Sequence, residues 1–417
     1  MKGTGRFQRF LKILGPGIIT GASDDDPSGI ATYSQAGAGF GLALLWMAPF
    51  TFPMMAALQG MCARIGLVTS QGLTHTLKKY YHPVILYLML IFSVPAIILN
   101  IGADIAGMGA VTNLLFPRVP SFLFSLFFTI LLMVTIIIFP YQKIARILKW
   151  LCLSILLYLI VPFIVDVDWK KVLSYTFIPH IELNKNFIEM VVAILGTTIS
   201  PYLFFWQATM EAEDSEHKQK KVIVNKSILH NMSTDVNTGM FASNLVMLFI
   251  ILTTGVVLYN AGIHQIDTVD QAAKALEPLA GKFSYVCFAL GVIGTGFLAI
   301  PVLTGSLSYI LAESFSWQEG LDKKFNEAPA FYIVIILSLV IGLLINILGI
   351  SPMKALIFTA ILYGITSPVM IAVIMHIGNN KKIMNEFTNS RLSNILGFIT
   401  FILMTAAAAV LIYFQFK

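Results

Sequence analysis

The sequence predicts an all-α polytopic membrane protein with about eleven transmembrane helices, and three observations carry that prediction. First, 57% of the 417 residues are apolar and only 12% are charged, with a mean hydropathy of +0.82. A soluble domain carries about 25% charged residues, so a soluble enzyme, a disordered chain and a nucleic-acid-binding domain are excluded. Second, the apolar stretches are unbroken, as in Ile155 to Ile160 and Leu245 to Leu258. Membrane strands would alternate apolar and polar residues, so the spans are helices. Third, two of the hydrophobic segments are interrupted at matching places by proline among polar residues.

The apolar runs place helices at about 13–40, 42–66, 83–111, 121–140, 145–166, 187–210, 232–259, 283–312, 329–349, 352–376 and 393–415. With the N-terminus in the cytoplasm, 19 of the 27 Lys and Arg residues fall on the inner side, among them Lys2, Arg6, Lys78, Lys79 and Lys323. Positive residues favour the cytoplasmic side, so an N-in, C-out protein of the plasma membrane is expected. The same bias accounts for the net charge of +6 without an acidic partner. The stretch Glu211 to Asn231 reads as a polar loop, and Asn260 to Lys282 as a loop with a short helix. Cys62, Cys152 and Cys287 show no metal-ligand spacing, and the seven histidines lie at helix ends or loops.

The first segment contains Ser23-Asp24-Asp25-Asp26-Pro27-Ser28-Gly29. Proline removes a backbone donor, and carboxylates at membrane depth face a cavity or a partner. The sixth segment contains Gly196-Thr197-Thr198-Ile199-Ser200-Pro201-Tyr202, whose hydroxyls can satisfy freed backbone groups. Pro27 and Pro201 are 174 residues apart, five helices on. Interrupted helices at corresponding positions point to inverted repeats and a midplane site. Helices 1–5 (13–166) and 6–10 (187–376) form the two repeats of a single transport domain, with helix 11 (393–415) appended. Exposed carbonyls and an ionised Asp26 favour a cation there. Asn100 and Asp104, four apart on helix 3, share a face. Gln207 lies one to two turns beyond the second break. Asp235, Asn237 and Asn244 mark helix 7, the last two on one face. Asp24 and Asp25 line the ion pathway, in an aqueous vestibule or near an interface.

At the two breaks the chain resembles the Nramp family of divalent-metal transporters. Gly15-Pro16-Gly17 followed by Asp26-Pro27-Ser28-Gly29 is similar to that family's Gly-Pro-Gly and Asp-Pro-Gly-Asn, and Ser200-Pro201-Tyr202-Leu203 stands where the family has Met-Pro-His-Asn. The resemblance implies a LeuT-like 5+5 inverted repeat with broken helices 1 and 6. It also implies a metal site at Asp26, residue 200 and a carbonyl near Thr197, with Asp104 as the acidic residue of helix 3. Four positions depart from the family pattern. Gly29 replaces the Asn ligand, Ser200 the Met ligand, and Tyr202 and Gln207 two histidines associated with proton movement. An all-oxygen site suits Mg²⁺, Ca²⁺ or Mn²⁺, as in the magnesium-transporting branch of that family. The expected function is transport of a divalent cation as substrate, with no resident cofactor and without clear proton coupling. A sodium-coupled organic-solute symporter of the same fold and a non-transporting membrane sensor stay open as alternatives.

Overall fold

A computed structural model describes residues 15–139, 157–217 and 224–416. Most of the predicted fifth helix, the basic residues before position 15, and Cys152 lie outside the described residues. The first hydrophobic segment forms two helices, α1 (Pro16–Asp24) and α2 (Pro27–Phe40). They have 9 and 14 residues, about 34 Å of helix at 1.5 Å per residue, enough to cross a hydrocarbon core of about 30 Å. There follow α3 (Met47–Thr69), the short α4 (Leu73–Tyr80), α5 (Pro83–Leu115), α6 (Ser121–Ile138) and the short α7 (Trp169–Phe177). The second broken segment is α8 (Lys185–Thr198) and α9 (Pro201–His217). The chain then forms α10 (Lys226–Thr254), α11 (Ser284–Phe315), α12 (Pro329–Ile345), α13 (Pro352–Asn379) and α14 (Arg391–Phe416).

Among the described residues nine segments are long and apolar enough to cross a membrane, α8 and α9 counting as one. The halves of helix 1 fall below that length only because they are separate. Contacts of His75 and Lys78 with Glu313 and Ser314 put α4 beside the α11–α12 connection, on what is here called the first face, and Thr20 near the start of α1 meets Gln207 toward the same side. The α2–α3 connection and residues 260–283 lie on the far face. Large apolar side chains on α5, α6, α12 and α14 point outward, including Ile91, Phe127, Leu337 and Phe398, as lipid-facing surfaces do. The predicted loop at 260–282 does carry short helical turns, beginning with Val269–Ala273.

Helix 6 runs further than expected. The polar stretch after Met210 continues α9 to His217, because its acidic residues find partners. Glu211 accepts from Gln207 Nε2 at 3.0 Å, and Glu213 accepts from the Tyr309 hydroxyl at 2.6 Å. Four other prolines (Pro53, Pro95, Pro301, Pro368) sit inside continuous helices, so proline alone does not break this chain.

Small residues let the central helices touch. A Cβ added at Gly21 would strike the backbone of Gly239 on α10, and one at Gly196 would strike Ala360 and Gly364 on α13. Such small-residue contacts are how helices associate where no hydrophobic effect drives them together.

Candidate functional site

The break in helix 1 is a helix end followed at once by a helix start. Asp25 leaves the helical region and Asp26 is extended, at φ −70° and ψ 172°. Asp26 is the N-cap of α2: its Oδ1 accepts from the Gly29 amide at 2.7 Å. Pro27 occupies the first helical position, where a missing N–H leaves no bond unmade. Helix 6 repeats the arrangement, α8 ending at Thr198 and α9 starting at Pro201. Here the preceding residue acts backward. The Ser200 hydroxyl donates to the carbonyls of Thr197 at 2.7 Å and Gly196 at 3.1 Å. A cation at the Thr197 carbonyl would share that oxygen with Ser200.

Other freed carbonyls are met from across the bundle. The Tyr202 hydroxyl donates to Ser23 O at 3.0 Å, and the Ser367 hydroxyl of α13 donates to Ile199 O at 2.9 Å. The two breaks also meet directly. A Cβ at Gly29 would lie 3.3 Å from both Asp24 O and Thr197 Oγ1. Beside Pro27, the Ser28 hydroxyl donates to Leu356 O at 2.7 Å, holding the start of α2 on α13.

Asp26 faces α5. Its Oδ2 accepts from Asn100 Nδ2 at 2.9 Å, and the same amide lies 3.4 Å from Asp104 Oδ2. Asn100 and Asp104 are fully buried, and the Oδ1 atoms of both have no hydrogen-bond partner among the described residues. The i, i+4 pair expected from the sequence is therefore joined to the first break by one amide. Asp24, Asp25 and Asp26 are 1%, 6% and 2% exposed. This corrects the expected placement of Asp24 and Asp25 in a vestibule or near an interface. Both turn instead to Ser243 of α10, whose hydroxyl lies 2.7 Å from Asp24 Oδ2 and 3.3 Å from Asp25 Oδ1.

Among the described residues no Lys, Arg or His side chain bonds to any of these four carboxylates. An uncompensated charge at this depth is costly, so each of these carboxylates needs either a proton or a cation. No three His, Cys, Asp or Glu side chains converge as a ready-made metal cage among the described residues. The ligands on offer are dispersed oxygens: carboxylate, side-chain amide, hydroxyl and backbone carbonyl.

Gln207 is fully buried but sits toward the first face, accepting from Thr20 Oγ1 at 2.5 Å and donating to Glu211. Tyr202 is also buried, its ring 5.8 Å from that of Tyr363. Asp235 has a structural task. Its carboxylate accepts from the amides of Gly15 at 2.9 Å, Gly17 at 2.7 Å and Ile18 at 3.2 Å, capping α1. Asn244 is buried and accepts from Thr51 at 2.9 Å. Asn237, expected on the same face, is exposed.

Hydrogen bonds tie the helices together on both faces. On the first face, buried Glu313 accepts from the His75 amide at 2.7 Å and from the Thr209 hydroxyl at 3.1 Å. That ties α4 and α9 to α11. On the far face, Gln35 accepts from the Ile266 amide at 2.7 Å and donates to His264 O at 3.1 Å. A cavity of about 520 Å³ opens on the far face beside Phe40, Asp168 and Tyr259, and no residue of either break lines it.

Sequence reasoning missed Ser243 and Ser367. Each is one of several hydroxyls on its helix, and no signal in the sequence marks either one.

Known proteins resemble this chain in sequence and in fold. The divalent metal cation transporter MntH of Caldanaerobacter subterraneus is 26% identical over 413 residues, covering 98% of this chain and 94% of that protein. The MntH of Clostridium acetobutylicum is 23% identical, covering 99% and 93%. The fold matches the crystal structure of an Eremococcus coleocola manganese transporter bound to an aromatic bis-isothiourea compound. That match has a TM-score of 0.77 at 16% identity, covering 98% of this chain and 88% of that one. A nucleobase–cation symporter in a closed conformation matches with a TM-score of 0.57 at 14% identity, covering 96% and 91%, which places the chain in the same broken-helix transporter architecture. The profile of natural resistance-associated macrophage protein-like sequences matches residues 17–414, and the chain therefore belongs to the Nramp family.

Proposed function

We propose that this protein is a secondary transporter of a divalent metal cation, taking Mg²⁺ in preference and Mn²⁺ as well. The observation that carries the reading is the donor set at the joined breaks. Asp26 is held by Asn100, and free oxygens of Asn100 and Asp104 lie buried beside it with no cationic side chain in attendance. Oxygen ligands without thioether or imidazole suit Mg²⁺, Ca²⁺ and Mn²⁺. Mg²⁺ keeps several waters and takes one or two carboxylates, which agrees with ligands too dispersed to strip the ion. The relatives named as divalent metal cation transporters and a manganese transporter support the substrate class.

In this reading Asp26 is the principal ligand, assisted by the Thr197 carbonyl and by residues 29 and 200 through their backbone and small size. Asn100 and Asp104 extend the site along α5. The protein works by alternating access, opening one face at a time. The two repeats, 13–166 and 187–376, rearrange about the paired breaks, and the N-terminus lies in the cytoplasm. Tyr202 and Gln207 are committed to hydrogen bonds and supply no imidazole, so transport runs without a proton-coupled step at these positions.

The test is uptake of Mg²⁺ and Mn²⁺ into proteoliposomes by wild type and Asp26→Ala, with and without a pH gradient. Uptake of both metals by wild type and its loss in the variant is expected. Unchanged uptake in Asp26→Ala removes Asp26 from the site. Wild-type uptake that appears only with a pH gradient removes the proton-independent mechanism.

A further inference from the structure

Asp24 and Asp25 have no part in the reading above, which places the transported cation on the α5 side of the break. They lie on its α10 side. One hydroxyl, Ser243 Oγ, stands within hydrogen-bond reach of both, 2.7 Å from Asp24 and 3.3 Å from Asp25. It carries a single hydrogen and can serve one of them at a time. The other oxygen of Asp24, Oδ1, is buried with no hydrogen-bond partner among the described residues. Asp24 is also the last residue of α1, so the negative end of that helix adds to the two carboxylates. Repulsion between them, the unmet oxygen and the helix end all call for positive charge, and no Lys, Arg or His bonds to either residue among those described.

We propose that Asp24, Asp25 and Ser243 form a second subsite for a hard, oxygen-seeking cation, separate from the Asp26 centre. The occupant is held by Asp24 Oδ1 and the Asp25 carboxylate and completes its shell with water. Ser243 keeps the two carboxylates in register. The two negative charges match an alkaline-earth ion, and the same ligands accept Na⁺. Asp26 turns to α5 and Asp24 to α10, so two ions can be held on opposite sides of one helix break.

The inference deepens the transport reading, and its test separates the two. The full-length protein in detergent is titrated calorimetrically with MgCl₂, and its thermal shift is read in NaCl against choline chloride. Two Mg²⁺ binding events are expected in wild type. Asp24→Asn should keep one and Asp26→Ala the other. Ser243→Ala, a milder change should Asp24→Asn fail to fold, should weaken the second event tenfold or more. A single Mg²⁺ event with a Na⁺ response that Asp24→Asn or Ser243→Ala abolishes supports the subsite with a monovalent occupant. A single Mg²⁺ event and no Na⁺ response, both unchanged within twofold by Asp24→Asn and Ser243→Ala, overturns it. That pattern leaves the Asp26 reading standing if Asp26→Ala abolishes the event. Binding intact in Asp26→Ala but lost in Asp24→Asn supports the subsite and refutes the proposed role of Asp26.

Discussion

Asp235→Ala tests how α1 is held. Helix α1 has nine residues, shorter than the roughly 12–15 at which an isolated helix becomes even marginally stable. Its start is fixed by three amide bonds to one carboxylate, at 2.7, 2.9 and 3.2 Å. Hydrogen bonds to a charged group contribute about 1.5–3 kcal/mol. Three that share an acceptor do not add, so a total of about 2–3 kcal/mol is reasonable. At about 1.4 kcal/mol per tenfold change, opening of α1 should rise roughly 30- to 150-fold. Hydrogen exchange in lipid nanodiscs reads this directly. Amides of residues 17–24 should exchange faster by that factor in Asp235→Ala, while those of α12 stay as in wild type. Asp235→Asn keeps one acceptor oxygen and should fall between. Equal exchange in all three proteins would refute the capping role, and uniform acceleration across the chain would show a global effect instead.

Ser200→Met supplies a soft ligand at the second break and should raise Mn²⁺ or Cd²⁺ binding relative to Mg²⁺ in competition titrations; no shift in that ratio counts against the donor-set argument. Gly21→Val should abolish the folded, monodisperse fraction on size-exclusion chromatography, since its Cβ would strike the Gly239 backbone; normal yield would show that α1 and α10 can part. Gly29→Ala places a Cβ 3.3 Å from Asp24 O and Thr197 Oγ1, a fit that needs only tenths of an ångström, so the protein should fold and bind Mg²⁺ within about tenfold of wild type. Ser367→Ala leaves the Ile199 carbonyl without its donor and should lower stability in lipid by about 1 kcal/mol, read as a fall in melting temperature; an unchanged melt would mean that the carbonyl has found another partner.

Both breaks were legible in the sequence because proline there follows polar residues: Asp26 before Pro27 and Ser200 before Pro201. Phe52, Val94 and Ile300 precede prolines that leave their helices intact. Ser367 shows the limit of that rule. It too precedes a proline in a continuous helix, and its hydroxyl is spent on Ile199 O and on Tyr363 O. The Asn100–Asp104 pair was readable because helical spacing is local. What joins it to Asp26 is a contact 74 positions away in the chain, which no spacing encodes. The same holds for Ser243 and for Glu213, whose partner Tyr309 is 96 positions away. In each case the partner, not the residue, makes the position polar or helical.

The matched spacing of α1 and α10 has a mechanical consequence. Gly17 lies against Val236 and Gly21 against Gly239, and Asp24 bonds to Ser243. Seven residues on one helix keep step with seven on the other, with Asp235 fastening the lower end. A short rod fastened to a longer one at both ends cannot tilt alone. Either the two swing together as one lever, or the upper fastening, which is also where charge gathers, lets go first.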